Sequence, residues 1–154
     1  MPLRPATLSD QAALFEIYVE AFRKHIEGIW GWDDQWQITN FQKEWDEFVT
    51  EVIYSEDELQ GYLQTRLEAD HLFLLNLALY PQYQNQGLGA EVMSIIKERA
   101  MTHRLPLRLN VFKTNQRVIA FYEGLGFKIH AKTETGCEMC WSPPSLPENQ
   151  IGEQ

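Results

Sequence analysis

The sequence predicts an α+β fold, a mixed and mostly antiparallel central sheet with helices on both faces. Three observations carry that reading. The run Leu72-Phe73-Leu74-Leu75-Asn76-Leu77-Ala78-Leu79 is apolar at every position but Asn76, as a central strand buried on both sides should be. Shorter alternating segments around it read as strands. Interleaved with these are four stretches whose apolar residues recur three and four apart, the spacing of an amphipathic helix.

Taken in order, Leu3–Ala6 is a short strand. Thr7, Ser9 and Asp10 supply N-cap chemistry for a first helix with Leu14, Ile17, Tyr18, Ala21, Phe22 and Ile26 on its inner face. Gly28-Ile29-Trp30-Gly31-Trp32 reads as a break. Asp33 or Asp34 caps a second helix, with Trp36, Phe41, Trp45 and Phe48 on one side. Thr50–Tyr54 is a strand ending in a turn at Ser55-Glu56-Asp57. Leu59–Leu67 and His71–Tyr80 form a hairpin joined at Glu68-Ala69-Asp70. Pro81 ends that strand, and a helix follows from Gly87 to His103, burying Leu88, Val92, Ile95, Ile96 and Ala100. Leu107, Leu109 and Val111 alternate, so they belong to a strand. Asn115–Gly124 is a helix stopped near Gly124 and Gly126. Phe127–Thr133 and Cys137–Trp141 close the order as a strand pair.

The chain has 154 residues, enough for one domain with a proper core. That domain is expected over residues 1–141, followed by a proline-rich tail over 142–154 that docks on the domain or on a neighbour if it is ordered. A monomer or a homodimer is expected. With 44% hydrophobic and 23% charged residues the composition is that of an ordinary globular protein. No run of about 18 apolar residues exists, and Met1–Pro5 lacks the apolar core of a signal peptide. A cytoplasmic location without a membrane partner is expected. Cys137 and Cys140 lie three apart on a strand, facing opposite sides. With no second pair they read as two ordinary thiols, and no metal is expected.

Charge divides the chain. Met1–Leu75 holds 15 Asp/Glu against 5 Lys/Arg, and Asn76–Gln154 holds 7 against 8. The acidic first part would repel nucleic acid, which is excluded as a partner. The asymmetry suits an anionic ligand near the second part and a cationic one near the first. Acids that merely solvate surface helices would look the same.

The sharpest local feature is Gln84-Asn85-Gln86-Gly87-Leu88-Gly89-Ala90, between a buried strand and a helix. The first turn of a helix offers unpaired N–H groups and the positive end of its dipole. Glycines there let a phosphate approach the backbone. A Walker loop would need Gly-Lys-Ser/Thr, and Gly89-Ala90-Glu91 does not supply it; a dinucleotide fingerprint would need a third glycine where Met93 stands. Alone, two glycines at a helix start are more often just a tight turn. A second segment, Asn115-Gln116-Arg117-Val118-Ile119-Ala120-Phe121-Tyr122-Glu123-Gly124-Leu125-Gly126-Phe127, follows the next strand.

Together these segments resemble the GNAT superfamily of N-acetyltransferases. The first matches its Gln/Arg-x-x-Gly-x-Gly/Ala signature, and the second its Asn-x-x-Ala-x-x-Phe-Tyr-Glu-x-x-Gly-Phe pattern with the spacing given above. The resemblance covers about Thr50 to Trp141. It implies a GNAT-like acyl-CoA acyltransferase fold with acetyl-CoA as cosubstrate. Leu77, Ala78 and Leu79 would offer backbone groups to the pantetheine arm beside a strand bulge. Gln84, Asn85, Gln86, Gly87, Leu88, Gly89 and Ala90 would hold the pyrophosphate, and Asn115 the cofactor arm. Tyr122 would sit near the thioester sulfur and protonate the departing thiolate; the alternative for Tyr122 is core packing beside Phe121. A direct attack by an amine needs no enzyme nucleophile, so Cys137 is not required. The amine must shed its proton, since an alkyl ammonium has a pKa of about 10.

One departure stands out. Many relatives place a glutamate base five positions before the motif's Asn, where this chain has Asn110. Glu27, Asp33 and Asp34 are the candidates to replace it. Trp30-Gly31-Trp32-Asp33 also resembles an element of a small GNAT subgroup. There Trp30, Trp32 and Asp33 would line the acceptor site, while Trp36 would pack. The expected acceptor is a small cationic amine; a peptide or protein amine, or acyl-CoA binding without turnover, are the alternatives.

Overall fold

A computed structural model describes residues 2–144. Beyond Pro144 the expected tail lies outside the described residues. Among the described residues seven strands, β1 (Leu3–Pro5), β2 (Val49–Ser55), β3 (Glu58–Leu67), β4 (Leu72–Leu79), β5 (Leu107–Phe112), β6 (Lys128–Lys132) and β7 (Gly136–Trp141), are hydrogen-bonded in the order β1-β2-β3-β4-β5-β7-β6. The chain forms two compact units: residues up to Arg66 together with Leu75–Gly89, and Leu67–Leu74 together with residues from Ala90 onward.

In the first unit β1 (Leu3–Pro5) pairs antiparallel with β2 (Val49–Ser55), Leu3 opposite Ile53. The turn after β1 is closed by charge. The Thr7 amide donates to the Asp10 carboxylate at 2.8 Å, and the Arg4 guanidinium donates to the same group at 2.9 and 3.1 Å. The guanidinium holds Asp10 down at about 2. From that turn α1 (Gln11–Trp30) rises and buries Leu14, Ile17, Tyr18 and Ile26. Ala21 and Phe22, expected inside, are half-buried. The break expected at Gly28 comes later, at Gly31. A single glycine inside a helix costs only about 1 kcal/mol, and the packed turns before Gly28 outweigh it.

Helix α2 (Asp34–Glu47) starts on Asp33, whose carboxylate accepts the Trp36 N–H at 2.9 Å. Its inner face is Gln37 and Phe41, and Trp36 is 59% exposed, contrary to the expected packing role. The reason is phase. At 100° per residue, Trp36 sits about 140° around the helix from Phe41. Phe41 is the hub of an aromatic cluster, with ring centroids 5.2 Å from Phe15, 5.7 Å from Tyr18 and 6.4 Å from Tyr62. The Tyr18 hydroxyl donates to Gln37 Oε1 at 2.8 Å, and burial pushes that phenol up to about 12.

Strand β2 turns into β3 (Glu58–Leu67) through Glu56 and Asp57, both at positive φ, as a two-residue hairpin turn requires. The pairing runs Val52 to Tyr62 and Ile53 to Gly61, then jumps to Tyr54 with Leu59. Gln60 is therefore the extra residue of a β-bulge. β4 spans Leu72–Leu79, and the bonds Glu68 N–H to His71 O and Tyr80 N–H to Gln60 O bracket the hairpin it makes with β3.

In the second unit the start of β4 pairs parallel with β5 (Leu107–Phe112), Leu72 opposite Leu107 and Leu74 opposite Leu109. The connection is α3 (Leu88–His103), a crossover that a parallel pair needs. α3 buries Val92, Met93, Ile96 and Ala100; Ile95, expected inside, is half-buried. α4 (Gln116–Gly124) leads to β6 (Lys128–Lys132) and β7 (Gly136–Trp141), and β7 lies between β5 and β6. Lys97 of α3 donates to the Leu125 carbonyl and sits 4.9 Å from the Trp141 ring, tying the end of α4 down. Cys137 and Cys140 are buried free thiols, paired in register with Val111 and Arg108. Among the described residues no group of three or more His, Cys, Asp or Glu is placed to hold a metal. No helix there is long and apolar enough to cross a membrane.

Candidate functional site

The sequence-predicted residues fall in both units. In the first, the end of β4 runs through Tyr80 into a short 3-10 turn, Pro81–Tyr83, and then the loop before α3. The loop is tied back to where it came from. Gln84 Nε2 donates to the Leu79 carbonyl at 3.1 Å, Gln86 Nε2 to the Gln82 carbonyl at 2.7 Å, and the Tyr83 hydroxyl to Glu58 at 2.8 Å. Asn85 and Gly87 have φ of 62° and 81°. Left-handed residues in such a turn present successive N–H groups as an anion-binding concavity. A Cβ built on Gly87 would meet nothing within 4 Å. Glycine is needed there for its φ, and the space above it is open. Leu88 and Gly89 begin α3, so their N–H groups lack helical partners.

A second glycine is set by contact, and sequence reasoning passed over it. A Cβ on Gly61 would lie 2.3 Å from the Ala78 carbonyl oxygen and 3.0 Å from Leu79 Cα. The bulge at Gln60 thus bends β3 against the backbone of Ala78–Leu79, two of the expected cofactor-arm residues. A lone glycine in a strand is the signal that marks such an approach. Gly61→Ala must push this backbone apart. We expect a loss of about 1–3 kcal/mol, the usual cost of overpacking, together with weaker acetyl-CoA binding. Denaturant midpoints and calorimetry would check both; an Ala variant as stable as the parent would show that the contact is not binding.

In the second unit Asn115 caps α4, its side-chain oxygen accepting from Val118 N–H at 3.4 Å. That leaves the Asn115 amide NH₂ as the group suited to a ligand carbonyl. Tyr122 is 5% exposed, with ring centroids 5.1 Å from Phe121 and 5.3 Å from Phe127. Core packing is therefore real for this residue, and burial pushes its phenol well above the ordinary value.

The base candidates are each engaged locally. Glu27 pairs with Arg23 one turn earlier, Asp33 caps α2, and Asp34 accepts from Trp32 Nε1 at 2.8 Å. The Arg23 guanidinium lies 5.0 Å from the Trp32 ring centroid, so the chain's own cation takes a face of that ring. Trp30 is 64% exposed. Asn110 is exposed on β5, directly across the ladder from Glu138 of β7.

Known proteins resemble this chain in sequence and in fold. The acetyltransferase (GNAT) family profile matches residues 12–127. The [ribosomal protein bS18]-alanine N-acetyltransferase of Salmonella typhimurium is 29% identical over 90 residues, covering 58% of this chain and 61% of that protein. The Escherichia coli K12 counterpart is 35% identical over 71 residues, 46% of this chain and 48% of its own length. The matches thus span about half to three fifths of these relatives. The spermidine N(1)-acetyltransferase of Thermoplasma acidophilum is 24% identical over 82% of this chain and 88% of its own. Among solved structures, the PaiA N-acetyltransferase of Thermoplasma acidophilum in complex with coenzyme A superimposes with a TM-score of 0.74 at 17% identity, covering 92% and 98% of the two chains. The Escherichia coli ribosomal-protein-S18-alanine N-acetyltransferase gives 0.70 at 21% identity, covering 96% of each.

Proposed function

The chain belongs to the acetyltransferase (GNAT) family, and from that premise we propose that it transfers an acetyl group from acetyl-CoA to a primary amine by direct attack. The observation that carries this is the loop at Asn85–Gly89, with left-handed backbone, open space over Gly87 and a helix start behind it. Those features fit a pyrophosphate. Residues 1–141 act as the transferase domain. The N–H groups of Asn85–Ala90 hold the pyrophosphate, and the backbone of Leu77–Leu79 meets the pantetheine arm. The Asn115 NH₂ group donates to a carbonyl of the arm. The amine adds to the thioester carbonyl, a C–N bond forms and the C–S bond breaks. The Tyr122 hydroxyl donates its proton toward the departing sulfur.

The acceptor is a cationic amine. Between Glu27 and Glu58 stand ten acids and one base, Lys43, with Trp30, Trp32, Trp36 and Trp45. Such a segment concentrates cations and can hold one against an aromatic face. We assign Trp30, Trp32 and Asp33 to this role and place the chain in the small subgroup with a Trp-Gly-Trp-Asp element. Trp30 is exposed and Trp32 half-buried. A peptide or protein amine is the second reading, favoured by the relatives that act on a ribosomal-protein alanine.

An amine screen with thiol-release detection, with acetyl-CoA saturating, tests the proposal. Acceptor kcat/KM should fall as salt rises, because the Debye length shrinks to about 3 Å at 1 M. An anionic acceptor, or a salt-independent constant, would reduce these acids to ordinary surface charge.

A further inference from the structure

Asn76 is the one polar residue of β4, an amide among apolar side chains. A polar group in such a strand must find partners, because burial without one is costly. Its partners lie in the same unit. Asn76 Nδ2 donates to Gln64 Oε1 at 2.8 Å, and Gln64 Nε2 donates to Thr50 Oγ1 at 3.2 Å. Thr50 is directly opposite Gln64 in the β2–β3 pair. The bond from Tyr80 N–H to Gln60 O sets the β3–β4 hairpin, and an equal number of steps along each strand brings Gln64 to Asn76. Gln64 is fully buried and bonded at both ends of its amide, so it holds the Asn76 amide in one orientation. That bond uses one of the two N–H donors of the amide group. Asn76 is half-buried rather than sealed, and among the described residues no second partner takes the other N–H.

We propose that Asn76 is the oxyanion donor of the acetyl transfer, its second N–H receiving the thioester oxygen, with Gln64 as the positioning residue behind it. The inference rests on the transferase reading. The loop assigned to the pyrophosphate follows β4, and the pantetheine arm runs back from it along Leu79, Ala78 and Leu77. Its sulfur-bearing end then arrives at Asn76, the next residue of the same strand and the same unit. When the amine nitrogen adds to the thioester carbon, the C=O π pair moves onto oxygen and the Asn76 N–H meets that charge. The pair returns as the C–S bond breaks with its electrons on sulfur. Nitrogen loses one proton to solvent and sulfur gains one, so amine plus thioester gives amide plus thiol. Asn76 gives up no proton. A donor already held toward the oxygen needs no reorganisation as charge builds, and Gln64 supplies that hold.

The test uses the full chain, acetyl-CoA labelled with ¹³C at the acetyl carbonyl, and two probe amines, an alanine-initiated tetrapeptide and spermidine. Infrared difference spectra should place the bound thioester C=O stretch below that of free acetyl-CoA, the mark of a hydrogen bond to its oxygen. Asn76→Leu should return the stretch toward the free value and keep the parent's affinity for acetyl-CoA. Its kcat, read as thiol release, should drop about 10²–10³-fold, the usual loss for one oxyanion donor. Gln64→Met keeps Asn76 but lets its amide turn, so kcat should drop by about tenfold through misorientation. Where a variant fails to fold, the parent's own stretch decides. A parent stretch at the free value with acetyl-CoA bound would overturn the assignment alone. So would Asn76→Leu turnover within about twofold of the parent, or a loss explained by weaker acetyl-CoA binding. Absence of thiol release from the parent with both amines would overturn the transferase reading and this assignment with it.

Discussion

Tyr122→Phe is expected to keep the fold and acetyl-CoA affinity while lowering kcat by about 10²–10⁴-fold, the usual value of general-acid help. The ring is held on both sides by Phe121 and Phe127, so removing one oxygen leaves the packing in place. Burial pushes the phenol up, which has two consequences. The hydroxyl stays protonated across the working range, so no loss of activity near pH 9–10 should come from this group. It also yields its proton only as charge builds on sulfur, which concentrates its effect in the transition state. Single-turnover rates, with chemistry shown to be limiting, separate this role from packing. A rate within about twofold of the parent would leave Tyr122 as a core residue.

Gly89→Glu is expected to weaken acetyl-CoA binding by about 100-fold. A carboxylate some 4 Å from a phosphate costs up to about 4 kcal/mol at an effective dielectric of 20, and part of that is lost to relaxation. The same substitution should leave stability unchanged or raise it, because an acid in the first turn of α3 suits the helix dipole. Opposite signs in the two measurements are the signature of a pyrophosphate at this helix start. Unchanged affinity in a folded Gly89→Glu protein would move the pyrophosphate elsewhere.

The glycine loop was legible because its logic is local. A strand stopped by Pro81, Gly87 and Gly89, and a helical period from Leu88 onward lie within a few residues of one another. The long apolar run at Leu72–Leu79 and the alternation at Leu107–Val111 were legible for the same reason. What escaped depended on phase or on distant pairing. α1 runs through Gly28 because the preceding turns are packed, a fact of burial rather than propensity. The phase of α2 was set on Trp36 by its hydrophobicity, whereas the aromatic cluster around Phe41 fixes it on Gln37 and Phe41. The contact of Gly61 with Ala78 follows from a bulge at Gln60 whose register only the hairpin shows. Glu138 opposite Asn110 could not be read locally either, because β7 passes between β5 and β6 and so meets a strand distant in sequence.

Acetyl-CoA is expected to lie on the Asn85–Ala90 loop and on Asn115. Amide-resolved ¹⁵N spectra of the full chain during an acetyl-CoA titration test it most directly. One saturable site is expected, with the N–H signals of Leu77–Leu79, Gly87, Leu88, Gly89 and Ala90 and the Asn115 side-chain NH₂ among those that shift most. Saturation that leaves these signals in place while others move, or no saturable shift at all, would contradict it.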